Sequence, residues 1–210
     1  MIKKIYTPSK PIIFVGEMTE GLDAFEIVLG MTDFFRKEGY KTVTLTEKPY
    51  HSLLNINSIP DFIRHHDMDE NNKVYAFNQL VKQLEEKENP NIIIVQLPGA
   101  LMRFNDKLTA GFGIIPYLIS LAVQAECMVV STFYDTMNPA FYETLSERFE
   151  HQLGVGINAL CISNVFIDVP DSMENNSFSY LRVEQEKVDK EVFELNQNSE
   201  IPNLKICVNV

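Results

Sequence analysis

Cysteine is scarce in this chain. Its three cysteines, Cys127, Cys161 and Cys207, lie far apart, each in an apolar run, and no CxxC pair occurs. An odd count without paired spacing argues against both a disulfide framework and a cysteine zinc site, so buried structural thiols are expected. Positive charge is also short, with 18 Lys and Arg against 29 Asp and Glu and a net charge of -11. Nucleic-acid affinity rests on cations that neutralise phosphates, so no nucleic-acid partner is expected, and an anionic membrane surface is disfavoured on the same ground. Long apolar runs are missing. The longest, "IIIV" at 92–95 and its relatives, fall far short of the roughly 20 residues that span a bilayer. The start, "MIKKIYTPSKP", is basic but offers no apolar core or small-residue cleavage site, which leaves a cytoplasmic location as the expectation.

What is present is a rhythm. With 210 residues, 45% of them hydrophobic, the chain can bury a sizeable core in one domain spanning 1–210. Strand patterns at 11–16, 40–47, 91–99, 127–135 and 157–168 alternate with helical spacing at 25–39, 74–89, 113–126 and 138–154. A strand at 178–184, a helix at 187–197 and a closing strand at 204–210 follow, and the polar stretch "DVPDSMENNS" reads as a flexible loop. The run "NIIIVQLPG" is apolar on both faces, as a central parallel strand must be. Alternation of this kind predicts an α/β three-layer sandwich with a mostly parallel sheet.

In such sheets ligands meet the chain beyond the carboxyl ends of the strands. The first strand runs into Gly16-Glu17-Met18-Thr19-Glu20-Gly21 and then a helix. The G-x-x-x-x-G spacing and the strand–loop–helix context are those of a Walker A loop, whose amides wrap phosphate while a Lys and a hydroxyl residue hold the outer phosphates and magnesium. Here Leu22 and Asp23 occupy those two places. Glu17, Glu20 and Asp23 would set three carboxylates around a triphosphate with no lysine to offset them, a repulsion of several kcal/mol in a partly desolvated loop. The amides at the helix start are more easily satisfied from within, by Glu20 or Asp23 as an internal cap. After the central strand, "IIIVQLPG" is similar to the D-x-P-G segment of P-loop proteins of the dethiobiotin synthetase and MinD kind, with Gln96 in place of their metal-linked Asp. Phosphoryl transfer depends on charge stabilisation by lysine and metal, so this degenerate, P-loop NTPase-like site is expected to hold no cofactor and to hydrolyse no nucleotide. Asn164 stands where such folds place a base-reading Asn, although its residue preference favours a turn or a helix cap.

The runs "VGEMTEGLDAFEIVLGM", "FFRKEGYKTV", "IIIVQLPGALMRFND" and "TAGFGIIPYLIS" resemble a family of clostridial peptide-maturation proteins associated with a radical SAM maturase of Cys-rich peptides. The resemblance spans residues 10–185. It departs from the family at Ala24, where the pattern has a lysine before the "FE" pair. It implies a pathway, with a precursor peptide or the maturation enzyme as partner, and no reaction.

Other residues carry weaker signals. His65, His66, Asp67, Asp69 and Glu70 cluster in sequence but match no zinc spacing, and a solvated acidic loop is the better reading. For His51 and His151 no triad can be argued from the sequence, and Asp135 reads as a helix cap. The segment 100–114 mixes Met102, Phe104 and Phe112 with Arg103, Asn105 and Lys107 after a central strand. A partner surface and a packed structural loop both fit it. Three functions stay open: a non-catalytic accessory or binding component, a nucleotide- or anion-binding switch using Gly16, Glu17, Glu20, Gly21, Asp23, Gln96 and Asn164, and a structural partner forming a homodimer.

Overall fold

A computed structural model describes residues 4–47, 56–134 and 139–198. His51, Asp135, Cys207 and the expected strand at 204–210 lie outside these residues. The chain order is β1 (Ile12–Glu17), α1 (Ala24–Lys37), β2 (Thr42–Thr46), β3 (Asn57–Ser58), α2 (Glu70–Glu88), β4 (Ile92–Ala100), α3 (Ile114–Ala122), β5 (Cys127–Thr132), α4 (Pro139–Leu153), β6 (Ala159–Ile162), β7 (Val165–Ile167), α5 (Val169–Asn175), β8 (Tyr180–Arg182) and α6 (Gln185–Asn198). The six strands β3-β2-β4-β1-β5-β6 form one sheet, and every pair in it is parallel.

The period of two along each strand splits the core into two faces. Ile12, Phe14, Ile93, Val95, Leu97, Met128, Val130 and Leu160 point to one side, against Phe77, Val81 and Leu84 of α2, Ile119 of α3 and Leu145 and Phe149 of α4. Val15, Ile94, Val129, Ala159 and Cys161 point to the other, against Ala24, Ile27 and Val28 of α1. The expected three-layer arrangement of helices and parallel sheet is therefore present. Helix α1 ends as its sequence indicates, with Gly39 at φ 86° just past the last turn.

Two expectations need correction. The expected strand at 157–168 is two strands: after β6 the chain turns at Ser163 and Asn164, and β7 leaves the main sheet to pair antiparallel with β8. The polar stretch from Asp168 to Ser177, read as a flexible loop, contains helix α5. Asp168 starts it by accepting the Asp171 amide at 3.1 Å, and Pro170 falls in the first turn, where its missing N–H costs nothing.

Candidate functional site

The loop after β1 is shaped by what packs beneath it. Two steps along β1, Val15 to Glu17, match four along β4, Gln96 to Ala100, so β4 bulges at Leu97, Pro98 and Gly99. Proline has no N–H to give a ladder and is tolerated at such a bulge. The bulge brings Leu101 back under β1: its amide donates to the Glu17 carbonyl at 2.9 Å. A Cβ on Gly16 would stand 2.6 Å from the Leu101 Cδ2 atom. The small residue at Gly16 thus admits a leucine. Gly21 has φ 92°, a conformation that an L side chain adopts only with strain.

The amides at the crown of the loop are already filled. The Glu17 carboxylate accepts the Gly21 N–H on one oxygen and the Leu22 N–H on the other, both at 3.2 Å. This corrects the expected internal cap: Asp23 stands at the N-cap position of α1 but its side chain makes no capping bond there, and Glu20 lies with Oε1 3.3 Å from where a Cβ on Gly99 would stand. The loop does carry its own anion, supplied by Glu17. Met18, Thr19 and Leu22 are buried, so the side chain in the lysine position of the Walker pattern belongs to the core. Ala24 is buried as well. The Asp23 amide faces the Ser131 hydroxyl at 3.4 Å.

Gln96 is buried, and the Thr46 hydroxyl at the end of β2 donates to its Oε1. A neutral amide thus joins two strand ends where the metal-linked carboxylate of the compared pattern would stand. Asn164 is half-buried, and its carbonyl accepts the Val183 N–H at 2.7 Å, which ties the end of β6 to the strand β8. Among the described residues no group of three His, Cys, Asp or Glu is placed to hold a metal. Asp69 instead caps α2 by accepting the Asn72 amide at 2.9 Å.

Tyr180 is the residue that sequence reasoning missed. From β8 its hydroxyl donates to the Glu20 carbonyl and lies 3.4 Å from the Thr19 hydroxyl. Burial raises its pKa, with smaller contributions from the Glu17 and Glu20 charges against an opposing hydrogen bond from Thr19, so the phenol keeps its proton and stays a donor. Its ring stacks on Phe178 at 6.0 Å, Phe178 meets Phe104 edge-on at 5.7 Å, and Phe104 meets Phe133 at 5.9 Å. No local pattern signals a partnership across 160 residues of chain.

The segment 100–114 divides. Met102 packs against the core and Phe104 sits in the aromatic row, while Asn105 accepts the Lys107 and Leu108 amides at 2.9 and 2.8 Å in a tight turn. Arg103 is exposed and pairs with Asp106 at 2.9 Å, and Phe112 is 54% exposed. Among the cysteines, burial pushes the Cys161 thiol well up, with the Asp23 charge a smaller cause, and burial raises Cys127 too. Neither is a poised nucleophile.

No family model matches the sequence, and no curated protein is similar to it. Solved structures are similar in fold. A DUF1611 family protein from Anabaena variabilis matches with a TM-score of 0.62 at 8% identity, over 95% of this chain and 56% of that one. The fold the two share is the parallel α/β sandwich described above. The signal recognition particle 54 kDa protein from Aeropyrum pernix, in complex with GDP, matches at a TM-score of 0.47 and 11% identity over 75% of this chain and 36% of that one. The chain thus spans about half the length of the first of these structures, and at such identities the likeness concerns fold alone.

The self-capped loop makes a direct prediction. Replacing Glu17 by Ala frees the Gly21 and Leu22 amides and should lower stability by about 1 kcal/mol, as loss of a helix-start cap does. Glu17→Gln should retain part of this through its amide oxygen. Urea unfolding of the two variants checks the order; equal stability of wild type and Glu17→Ala would mean that the carboxylate contributes nothing to the loop.

Proposed function

We propose that this chain is a non-catalytic, P-loop-like accessory component of the maturation of ribosomally made peptides, acting in the cytoplasm by binding a precursor peptide or a maturation enzyme. The observation that carries the non-catalytic part is the Glu17 carboxylate on the Gly21 and Leu22 amides. A phosphate and a carboxylate compete for the same donors, and the nearby Glu20 and Asp23 add repulsion to any incoming polyphosphate. With Leu22 in the core and Gln96 bonded to Thr46, neither a lysine nor a metal-binding carboxylate stands ready to repay that repulsion. The pathway part is supported by the resemblance of the Gly16 to Asp23 loop, the "QLPG" segment and the "FGI" segment to peptide-maturation proteins.

Thermal unfolding with and without Mg-ATP or Mg-GTP tests the first part. A ligand at 100 times its dissociation constant would stabilise the protein by about 2.7 kcal/mol. We expect no shift; a shift of that size would make the chain a nucleotide-binding switch. Titration calorimetry with a Cys-rich precursor peptide and, separately, with the radical enzyme tests the second part. Heat of binding with neither would remove the pathway assignment and leave the disarmed loop standing.

A further inference from the structure

Helix α3 lies between α2 and α4 in the layer that covers one face of the sheet. Its inward residues Leu118, Ile119 and Ala122 are buried. Its outward residues are apolar as well. Ile114, Tyr117 and Leu121, spaced three and four apart on one helix face, are 53%, 42% and 49% exposed, and Phe112 stands just before them at 54%. An ordinary surface helix turns charge outward. This one has none: residues 108–125 contain no Asp, Glu, Lys or Arg, in a chain of net charge -11.

The turn that leads into α3 is held in an unfavourable shape. Ala110, Gly111, Phe112 and Gly113 have φ of 45°, 64°, 56° and 73°, four successive left-handed residues of which two are not glycine. Strain of this kind persists where surrounding structure over-determines it, and it clusters at binding elements. Here its effect is to leave a large aromatic side chain half in water beside the apolar helix face.

We propose that this face, Phe112, Ile114, Tyr117 and Leu121, is the contact between two copies of the chain, related by a twofold axis. Charge selects the occupant. Two molecules of net charge -11 repel, and a twofold contact places each residue of the patch near the same patch on the partner, so a self-associating face must be free of charge at its centre. A cationic partner would be met by the acidic surfaces instead. Area agrees: four half-exposed large side chains contribute roughly 400 Å². That lies within the roughly 300–600 Å² of the largest apolar patch on a typical protein, and it is about half of the roughly 800 Å² per partner of a stable complex, close to the apolar share of such an interface, the remainder falling to a polar rim. The inference does not depend on the state of the loop after β1.

Sedimentation equilibrium of the full chain tests it. We expect a concentration-dependent mass reaching twice that of the chain. Tyr117→Glu with Leu121→Glu, which puts like charges across the axis, should raise the dissociation constant by about 100-fold or more, with an unchanged circular dichroism spectrum. Phe112→Ser, outside the helix, should weaken association more mildly and keeps the test valid if the double variant is poorly folded. Salt gives an independent reading: raising it from about 0.05 M to about 0.5 M should tighten the wild-type dimer several-fold by screening the repulsion of the two bodies, whereas a contact built from ion pairs would loosen. A wild-type chain that stays monomeric, a dimer indifferent to both variants, or one that loosens with salt would overturn the proposal.

Discussion

Gly113→Ala should be among the most damaging single-methyl additions in this protein, lowering stability by about 3–5 kcal/mol. A Cβ at this position would stand 2.2 Å from the Leu101 carbonyl oxygen and 2.8 Å from its carbon, both main-chain atoms. A side chain can rotate away from such an intrusion, but a peptide plane must be displaced. The left-handed φ of 73° adds its own strain for any residue with a Cβ. The displaced group is also tied in: the Leu101 amide holds the Glu17 carbonyl, so movement there passes to the loop after β1. Gly111→Ala is the control. It has a similar φ of 64° and nothing within 4 Å of its added carbon, so only the backbone term remains, at about 1 kcal/mol. Urea unfolding of the two variants measures the difference. If Gly113→Ala fell within about 1 kcal/mol of Gly111→Ala, the close approach of the two segments would be carrying little of the fold.

The contrast between these two glycines shows where sequence reasoning reaches its end. Both belong to "TAGFGI", and no pattern in those six residues tells which glycine meets a neighbour and which faces open space. What was legible was whatever repeats with a period. The strands of the main sheet other than the two-residue β3, with helices α1 to α4, follow from apolar runs and helical spacing, because burial on two faces or on one stripe leaves its mark on every second or every third and fourth residue. Asn164 marks the failure of that method. The stretches "ALCI" and "VFI" on either side of it are equally apolar, and periodicity states burial without stating direction, so the pattern gives one strand where the chain turns away to pair with β8. For α5 a signal did exist. Asp168 followed by Pro170 is a helix start, hidden by the polar residues that continue to Ser177.

At the site, the degenerate Walker pattern was legible because it consists of absences in a fixed register. The lysine and hydroxyl positions hold Leu22 and Asp23 whatever the fold does. Which carboxylate would turn back onto the amides was not legible. Glu20 and Asp23 sit nearest the helix start along the chain, but Glu17, at the end of β1, has its direction fixed by the strand and lies under the crown of the loop. The contribution of Tyr180 comes from far along the chain and depends on the pairing of β7 with β8, which periodicity does not resolve.

Gly16 can be interrogated in the same terms, since two explanations of it lead to different energetics. If it were retained for the approach of a phosphate, adding a methyl would harm ligand binding and leave folding nearly untouched. The geometry instead predicts a folding effect governed by Leu101, whose side chain is fully buried and reaches to 2.6 Å from the place of the missing Cβ. Leu101→Ala alone should cost about 3–4 kcal/mol, the sum of lost burial and of the cavity left behind. Gly16→Ala alone should cost about 1–3 kcal/mol, the usual effect of overfilling a packed site. Together they should cost less than their sum by about 1–2 kcal/mol, because the added methyl enters space that the truncated leucine has vacated. Denaturant unfolding of the four proteins in this cycle supplies the coupling. Strict additivity would detach Gly16 from Leu101 and return the position to the phosphate explanation. A favourable coupling would make the first glycine of the pattern a packing residue, retained because the bulged β4 strand returns its leucine beneath β1.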